Sequence, residues 1–218
     1  MIHAYDRVYL DKARNALGRM LDYAVNDMHQ TLTDFYRLFL QSGLAKRFGD
    51  GDYSIIVGHS GVELACEVLA NSNPLTAPDK VLYAYDRSEE YWTGWALAYY
   101  QWDTGMSFME IDKHVPIADI YMLYMPFHEM DIRQFVDKMN ELYRFSKPET
   151  NLKYYRAIAG FSQKELADIT GVPVRTIQQY EQRQKDINKA SVTCLLSFAQ
   201  ALCCDVGDLV ERVPVISL

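Results

Sequence analysis

Apolar residues recur at helical spacing along most of the chain. From Asp6 to Ala24, the positions of Val8, Ala13, Leu17, Met20, Leu21 and Ala24 predict one long amphipathic helix. A second pattern, TLTDFYRLFLQSG, ends at Gly43; Phe35, Leu38, Phe39 and Leu40 leave it few polar faces, so burial on more than one side is expected. FGDGDYS then breaks the period, and Tyr53 to Val57 reads as a short strand or extended chain. Ser60 and Glu63 have capping-box spacing ahead of GVELACEVLAN, and SNPLTAPDK reads as a loop.

The next segment, RSEEYWTGWALAYYQWDTG, places Tyr91, Trp92, Trp95, Tyr99, Tyr100 and Trp102 on one helix that starts after Ser88 and ends at Gly105. Such a helix lines a small-molecule pocket, anchors a protein partner, or forms the centre of a core with its hydroxyls at the edge. The core reading is preferred because helical aromatic stripes usually pack. Gly94 at mid-helix predicts a second backbone close by. SFMEIDKH repeats the Ser-x-x-Glu start, and Pro116 and Pro126 bracket a short helix containing Ile120, Tyr121, Leu123 and Tyr124. HEMDIRQFVDKMNELYRF would bury Ile132, Phe135, Val136, Met139 and Leu142. SKPET, residues 146–150, then reads as a hinge between an N-terminal helical domain at 1–145, serving a partner, dimerisation or sensing, and a C-terminal domain at 151–218.

In the C-terminal domain, NLKYYRAIAGFSQ carries Leu152, Tyr155, Ile158 and Ala159 inward. QKELADITGVPVRTIQQYE is two short helices broken at Gly171, with Leu166, Ile169, Val172, Ile177 and Tyr180 on the inner faces. Ala167 allows the two helices to approach, Gly171 suits a left-handed turn, and Pro173 suits a helix start. A basic, amide-rich loop from Gln182 to Lys189, a fourth helix after Ser191 and a short segment DVGDLVE complete the domain. Around the inward Ile177 and Tyr180 the second helix of the corner turns Val174, Arg175, Thr176, Gln178 and Gln179 outward. Arginine clasps guanine O6 and N7, glutamine pairs with adenine N6 and N7, and valine touches a thymine methyl; solvated faces are more often Glu and Lys. An ordinary helical bundle using this corner without touching DNA is the competing reading.

From about Asn151 to Glu211, these five elements in this order resemble the Cro/repressor-type, or xenobiotic-response-element, helix-turn-helix family. The resemblance implies an all-α protein with a C-terminal five-helix, lambda-repressor-like DNA-binding domain. It implies that Gln163 contacts a phosphate, that Val174, Arg175 and Gln179 reach base edges with Gln178 assisting, and that Thr176 and Arg183 lie near the DNA backbone. A glycine is common in that family shortly after the reading-helix glutamate; this chain has Gln182-Arg183-Gln184. The expected function is sequence-specific transcriptional regulation, most often repression, by a homodimer on a palindromic operator of double-stranded DNA.

Charge refines this picture. The net charge of −7 is unlike a DNA-binding protein as a whole, but between Asn151 and Ala190 the seven cations outnumber four anions. A basic face on an acidic body favours specific, salt-sensitive binding over non-specific adhesion. The acidic, aromatic N-terminal domain raises an alternative: an antitoxin that holds a toxin there and represses its own operon, whereas a ligand sensor would bind a small molecule. No apolar run reaches membrane-span length and no secretory leader is legible, so a cytoplasmic protein with no membrane partner is expected.

Catalytic and metal motifs fail in turn. Gly58-His59-Ser60-Gly61 has part of a nucleophile-elbow pattern but Val62 stands where it needs glycine; His128-Glu129 lacks a second histidine; FGDGDY lacks the calcium-loop order. Cys66, Cys194, Cys203 and Cys204 have neither metal nor disulfide spacing; Cys194 and Cys203 are expected as small buried thiols of the fourth helix, in preference to redox sensing at Cys203-Cys204. The expectation is therefore no catalytic residue, no metal and no cofactor; an enzyme is the third-ranked reading.

Overall fold

A computed structural model describes residues 3–72, 87–147 and 149–211. Among these residues every regular element is helical. The chain divides into two compact units, Met1–Tyr143 and Arg144–Leu218.

The first unit begins with a 3₁₀ turn, Arg7–Tyr9, that leads into α1 (Leu10–Asp22) and a wider π-type turn, Tyr23–Asp27. Val8 belongs to the 3₁₀ turn and is 71% exposed, so it does not continue the inner stripe of α1 as its spacing predicts. After α2 (Leu32–Gln41), Gly43 takes a left-handed φ of 79° and α3 (Leu44–Gly49) follows. Tyr53 to Ile56 is a turn of helix, α4 (Tyr53–Ile56), in place of the expected extended chain: Asp52 accepts from Ser54 N at 3.0 Å, and Ile55 and Ile56 both turn into the core. The reciprocal Ser60–Glu63 bonds, 2.7 and 3.2 Å, start α5 (Gly61–Ser72) as the spacing predicts. The SNPLTAPDK loop, from Asn73 onward, lies outside the described residues.

The central element is α6 (Glu89–Thr104), capped by Ser88 and ended by Gly105. Trp92, Tyr99, Tyr100 and Trp102 are buried, whereas Tyr91 and Trp95 are half-buried at its edge. The hydroxyls find partners: Tyr100 donates to Asn140 at 3.0 Å and Tyr91 to Asn15 at 2.8 Å. The backbone that Gly94 admits is that of α1. A Cβ on Gly94 would lie 2.5 Å from the Leu17 carbonyl oxygen and 2.9 Å from Gly18 Cα, and one on Gly18 would lie 2.8 Å from the Tyr91 carbonyl oxygen. Ser88 also donates to buried Asp22 at 2.7 Å, which fixes the start of α6 to the end of α1.

α7 (Phe108–His114) starts at Ser107, and α8 (Ile117–Met122) follows Pro116. Pro126 does not bound α8. The chain breaks at Leu123 and α9 (Tyr124–Phe127) carries Pro126 in its first turn, where a missing N–H costs no helical bond. α10 (Ile132–Ser146) starts at Ile132, later than the predicted His128, with Asp131 accepting from Arg133 N at 2.8 Å. Phe135, Val136 and Met139 are buried; Ile132 and Leu142 are only half-buried.

Gly94→Ala is expected to destabilise the first unit by about 1–3 kcal/mol, because overpacking forces α1 and α6 apart. All three tryptophans, Trp92, Trp95 and Trp102, lie on α6, so urea unfolding followed by tryptophan emission reads this unit directly.

Candidate nucleic-acid interface

The second unit is built from short, well-capped helices. Buried Thr150 caps α11 (Asn151–Ile158), accepting from Lys153 N at 3.3 Å. Ser162 and Glu165 form a complete capping box, 3.1 and 2.7 Å, at the start of α12 (Gln163–Thr170). Gly171, at φ 70°, donates its N–H to the Ala167 carbonyl at 2.9 Å and closes α12. Pro173 then opens α13 (Val174–Glu181). A 3₁₀ turn, Ile187–Lys189, leads to α14 (Val192–Leu202), capped by Ser191, and α15 (Val206–Leu209) closes the set. Leu152, Leu166, Ala167, Ile177, Phe198, Leu202 and Leu209 form the core, with Val172 and Tyr180 packed partly against it.

Three inward assignments do not hold. Ile158 is 66% and Ile169 56% exposed. At about 100° per residue, Leu166 and Ala167 together centre the buried face of α12, and Ile169 falls well to one side of it. Cys203 is exposed at φ 51°, just past the end of α14, while Cys194 is half-buried on the helix. Burial, followed by the nearby Asp208 and Asp205, pushes the Cys204 thiol up, the opposite of an activated sensor.

An ion pair between half-buried Arg156 and buried Glu181 joins the helices. Glu181 accepts from Arg156 Nε at 2.6 Å and Nη2 at 3.0 Å, and Arg156 Nη1 donates to the Phe161 carbonyl at 2.7 Å. The hydrogen bond to Glu181 holds the Arg156 guanidinium above its ordinary pKa. Gln163 Nε2 donates to the same carboxylate at 2.8 Å, and Gln163 Oε1 accepts from Gln178 Nε2 at 3.3 Å. Reasoning from the sequence missed this network. The available signal was an arginine one turn after Leu152 and a glutamate one turn after Ile177, both beside apolar stripes.

The candidate contact residues fall around this network. Gln163 is the first residue of α12 and is half-buried; Gln178, four residues into α13, is exposed and bonded to it. Arg175 is exposed and has no hydrogen-bond or ion-pair partner among the described residues. Thr176 and Gln179 are half-buried, and Val174 packs partly against the core. Arg183 is set apart from the others. Its backbone takes a left-handed φ of 56°, and Nη2 donates to the carbonyls of Lys147 at 2.9 Å and Glu149 at 3.2 Å.

Glu181→Ala is expected to cost the second unit about 1.5–3 kcal/mol, since it removes the charge-assisted bonds of a half-buried guanidinium; far-UV ellipticity in urea, compared with the tryptophan transition of the first unit, measures it. At Arg183 two variants separate strain from bonding. Both lose the bonds to Lys147 and Glu149, but glycine relieves the left-handed backbone, so Arg183→Gly should be about 1–2 kcal/mol more stable than Arg183→Ala.

No curated protein and no solved structure matches the chain. A family model described as helix-turn-helix matches residues 152–193, from the first turn of α11 into α14. The C-terminal unit therefore carries a DNA-binding helix-turn-helix domain of the Cro/repressor, xenobiotic-response-element type.

Proposed function

We propose that the protein is a sequence-specific repressor that binds a palindromic operator as a homodimer. The observation that carries this reading is the outward face of α13: Arg175 is exposed and has no partner among the described residues, beside Gln178, which the Arg156–Glu181 pair orients through Gln163. Arg175, Val174 and Gln179 would read base edges with help from Gln178, and Gln163 would take a phosphate. Thr176 and Arg183 would lie on the backbone side, with Arg183 also fastening the entry segment to the loop after α13. Exposed Lys164, Lys185 and Lys189 add sequence-independent attraction. One such unit covers a half-site, so two are needed for a full operator. Repression asks only that the bound protein block the site, with no further contact.

A second reading, the antitoxin, is favoured by one surface of the first unit. Met122 and Met125 are 73% and 72% exposed on adjacent short helices, with Met130 close in sequence, and methionine surfaces adapt readily to a protein partner. Co-purification of a basic protein partner would support it.

Selection of bound sites from random duplex DNA should return inverted half-sites about 10 bp apart, with two chains per duplex by mass. Arg175→Ala should lose about 1–3 kcal/mol of operator affinity and relax preference at one base position. Uniform loss on all sequences would make Arg175 a phosphate contact, and no preference over competitor DNA at low salt would overturn the reading.

A further inference from the structure

The first unit holds a cleft of about 230 Å³ between α6 and α9, lined by Arg87, Tyr91, Trp92, Trp95, Tyr124 and His128. Its walls are flat. Trp92 meets Tyr124 edge-to-face at 5.7 Å and Phe135 at 5.3 Å, and this clamp holds its indole in place. Tyr124 stacks on His128 at 4.4 Å, while His128 Nδ1 lies 3.0 Å from the Tyr124 carbonyl. Arg87 lies 5.0 Å from the centre of the Tyr91 ring at one edge. No aliphatic side chain and no carboxylate is among the six lining residues.

Two guanidinium groups, Arg87 and Arg14, flank these rings. The Arg14 guanidinium sits 3.2 Å from the centre of the Trp95 ring, and its Nε and Nη2 are buried with no hydrogen-bond partner among the described residues. Burial lowers Arg14 to about 10, so it remains charged at neutral pH and draws electron density from the indole. The nearby carboxylates keep their charge but are each directed at another group, Glu90 at Asn26 at 3.2 Å, Glu89 at the Tyr121 hydroxyl and Glu129 at His128 Nε2 at 3.6 Å, so none is placed against Arg87. A cationic guest would meet Arg87 and an indole already occupied by a cation. An anionic, flat guest would stack on the rings and offer Arg87 the planar carboxylate that a guanidinium binds through two parallel bonds.

We propose that this cleft binds an aromatic carboxylate of one or two rings, stacked against Trp95 and Tyr124 with its carboxylate on Arg87. The size agrees, since the volume is just below the ~300–1,000 Å³ of sites for larger ligands. The proposal stands on the first unit alone and does not depend on DNA binding.

Three probes of one shape test it on the full chain: 2-naphthoate, neutral 2-naphthamide and 2-naphthylmethylammonium, titrated by calorimetry and by the NMR signals of the three indole N–H groups. Expected are saturable naphthoate binding, about tenfold weaker naphthamide binding, still weaker ammonium binding, and shifts at Trp92 and Trp95 that exceed any at Trp102. Trp102 donates to the Tyr5 carbonyl at 2.8 Å and stacks on His3, away from the lining. Arg87→Gln should lower naphthoate affinity about tenfold and leave naphthamide unchanged, with an unaltered Trp102 signal showing that the fold is retained. Absence of saturable binding, equal or tighter binding of the amide or the ammonium, dominant shifts at Trp102, or an Arg87→Gln variant that binds naphthoate as the parent does would each overturn the assignment.

Discussion

Three side-chain nitrogens converge on one buried carboxylate. Glu181 accepts two bonds from Arg156 and one from Gln163, and so joins the end of α13 to α11 and to the first residue of α12. Burying such charges gains little net stability, because removing them from water costs about what their attraction returns. What the pair supplies is position. An apolar cluster of equal volume would hold the three helices together without fixing where Gln163 points, whereas a carboxylate with two directed oxygens leaves one arrangement that satisfies every donor. Gln163 then presents its carbonyl oxygen to Gln178, and the orientation of a surface amide on α13 is traced to a charge beneath it.

The loop after α13 shows how a less favourable residue is retained. Arg183 occupies a left-handed backbone position in the stretch where the resembling family often places glycine. The side chain offers compensation that glycine lacks, since its guanidinium bonds the carbonyls of Lys147 and Glu149 and draws the segment ahead of α11 against the loop. Lys147, Glu149 and Thr150 are consequently held within the second unit in several ways: Lys147 donates to Asn151, Thr150 is buried as a cap, and Arg183 binds the carbonyls of Lys147 and Glu149.

What the sequence made legible is what is decided within one or two turns. Ser60, Ser88, Ser162 and Ser191 start helices because a cap needs only a hydroxyl three residues before an N–H, and Gly105 and Gly171 end them because the left-handed turn is local. The helix-turn-helix corner was legible for the same reason. Ile158 and Ile169 were misplaced because apolar spacing defines a face without saying how far the helix is rotated, and that rotation comes from distant neighbours such as Phe198 and Leu209. The Arg156–Glu181 pair spans 25 residues of sequence and leaves no periodic mark. α4 was missed because a single capped turn is too short to show a helical period.

The aromatic helix α6 joins both lessons. Its apolar character all round predicts burial, and Gly94 specifies that one side lies against the backbone of α1. On a helix, residues three and four apart share a face, so Tyr91, Trp92 and Trp95 form one patch. Whether a patch is sealed depends on the partner, and among the described residues the partner is a four-residue helix, α9, too short to cover three large rings. Trp92 is closed off by Tyr124 and Phe135, but among the described residues Tyr91 and Trp95 remain half-buried beside a cleft. The same helix is thus the centre of the core along most of its surface and the wall of a cleft along the rest, and the division follows from the length of the segment opposite.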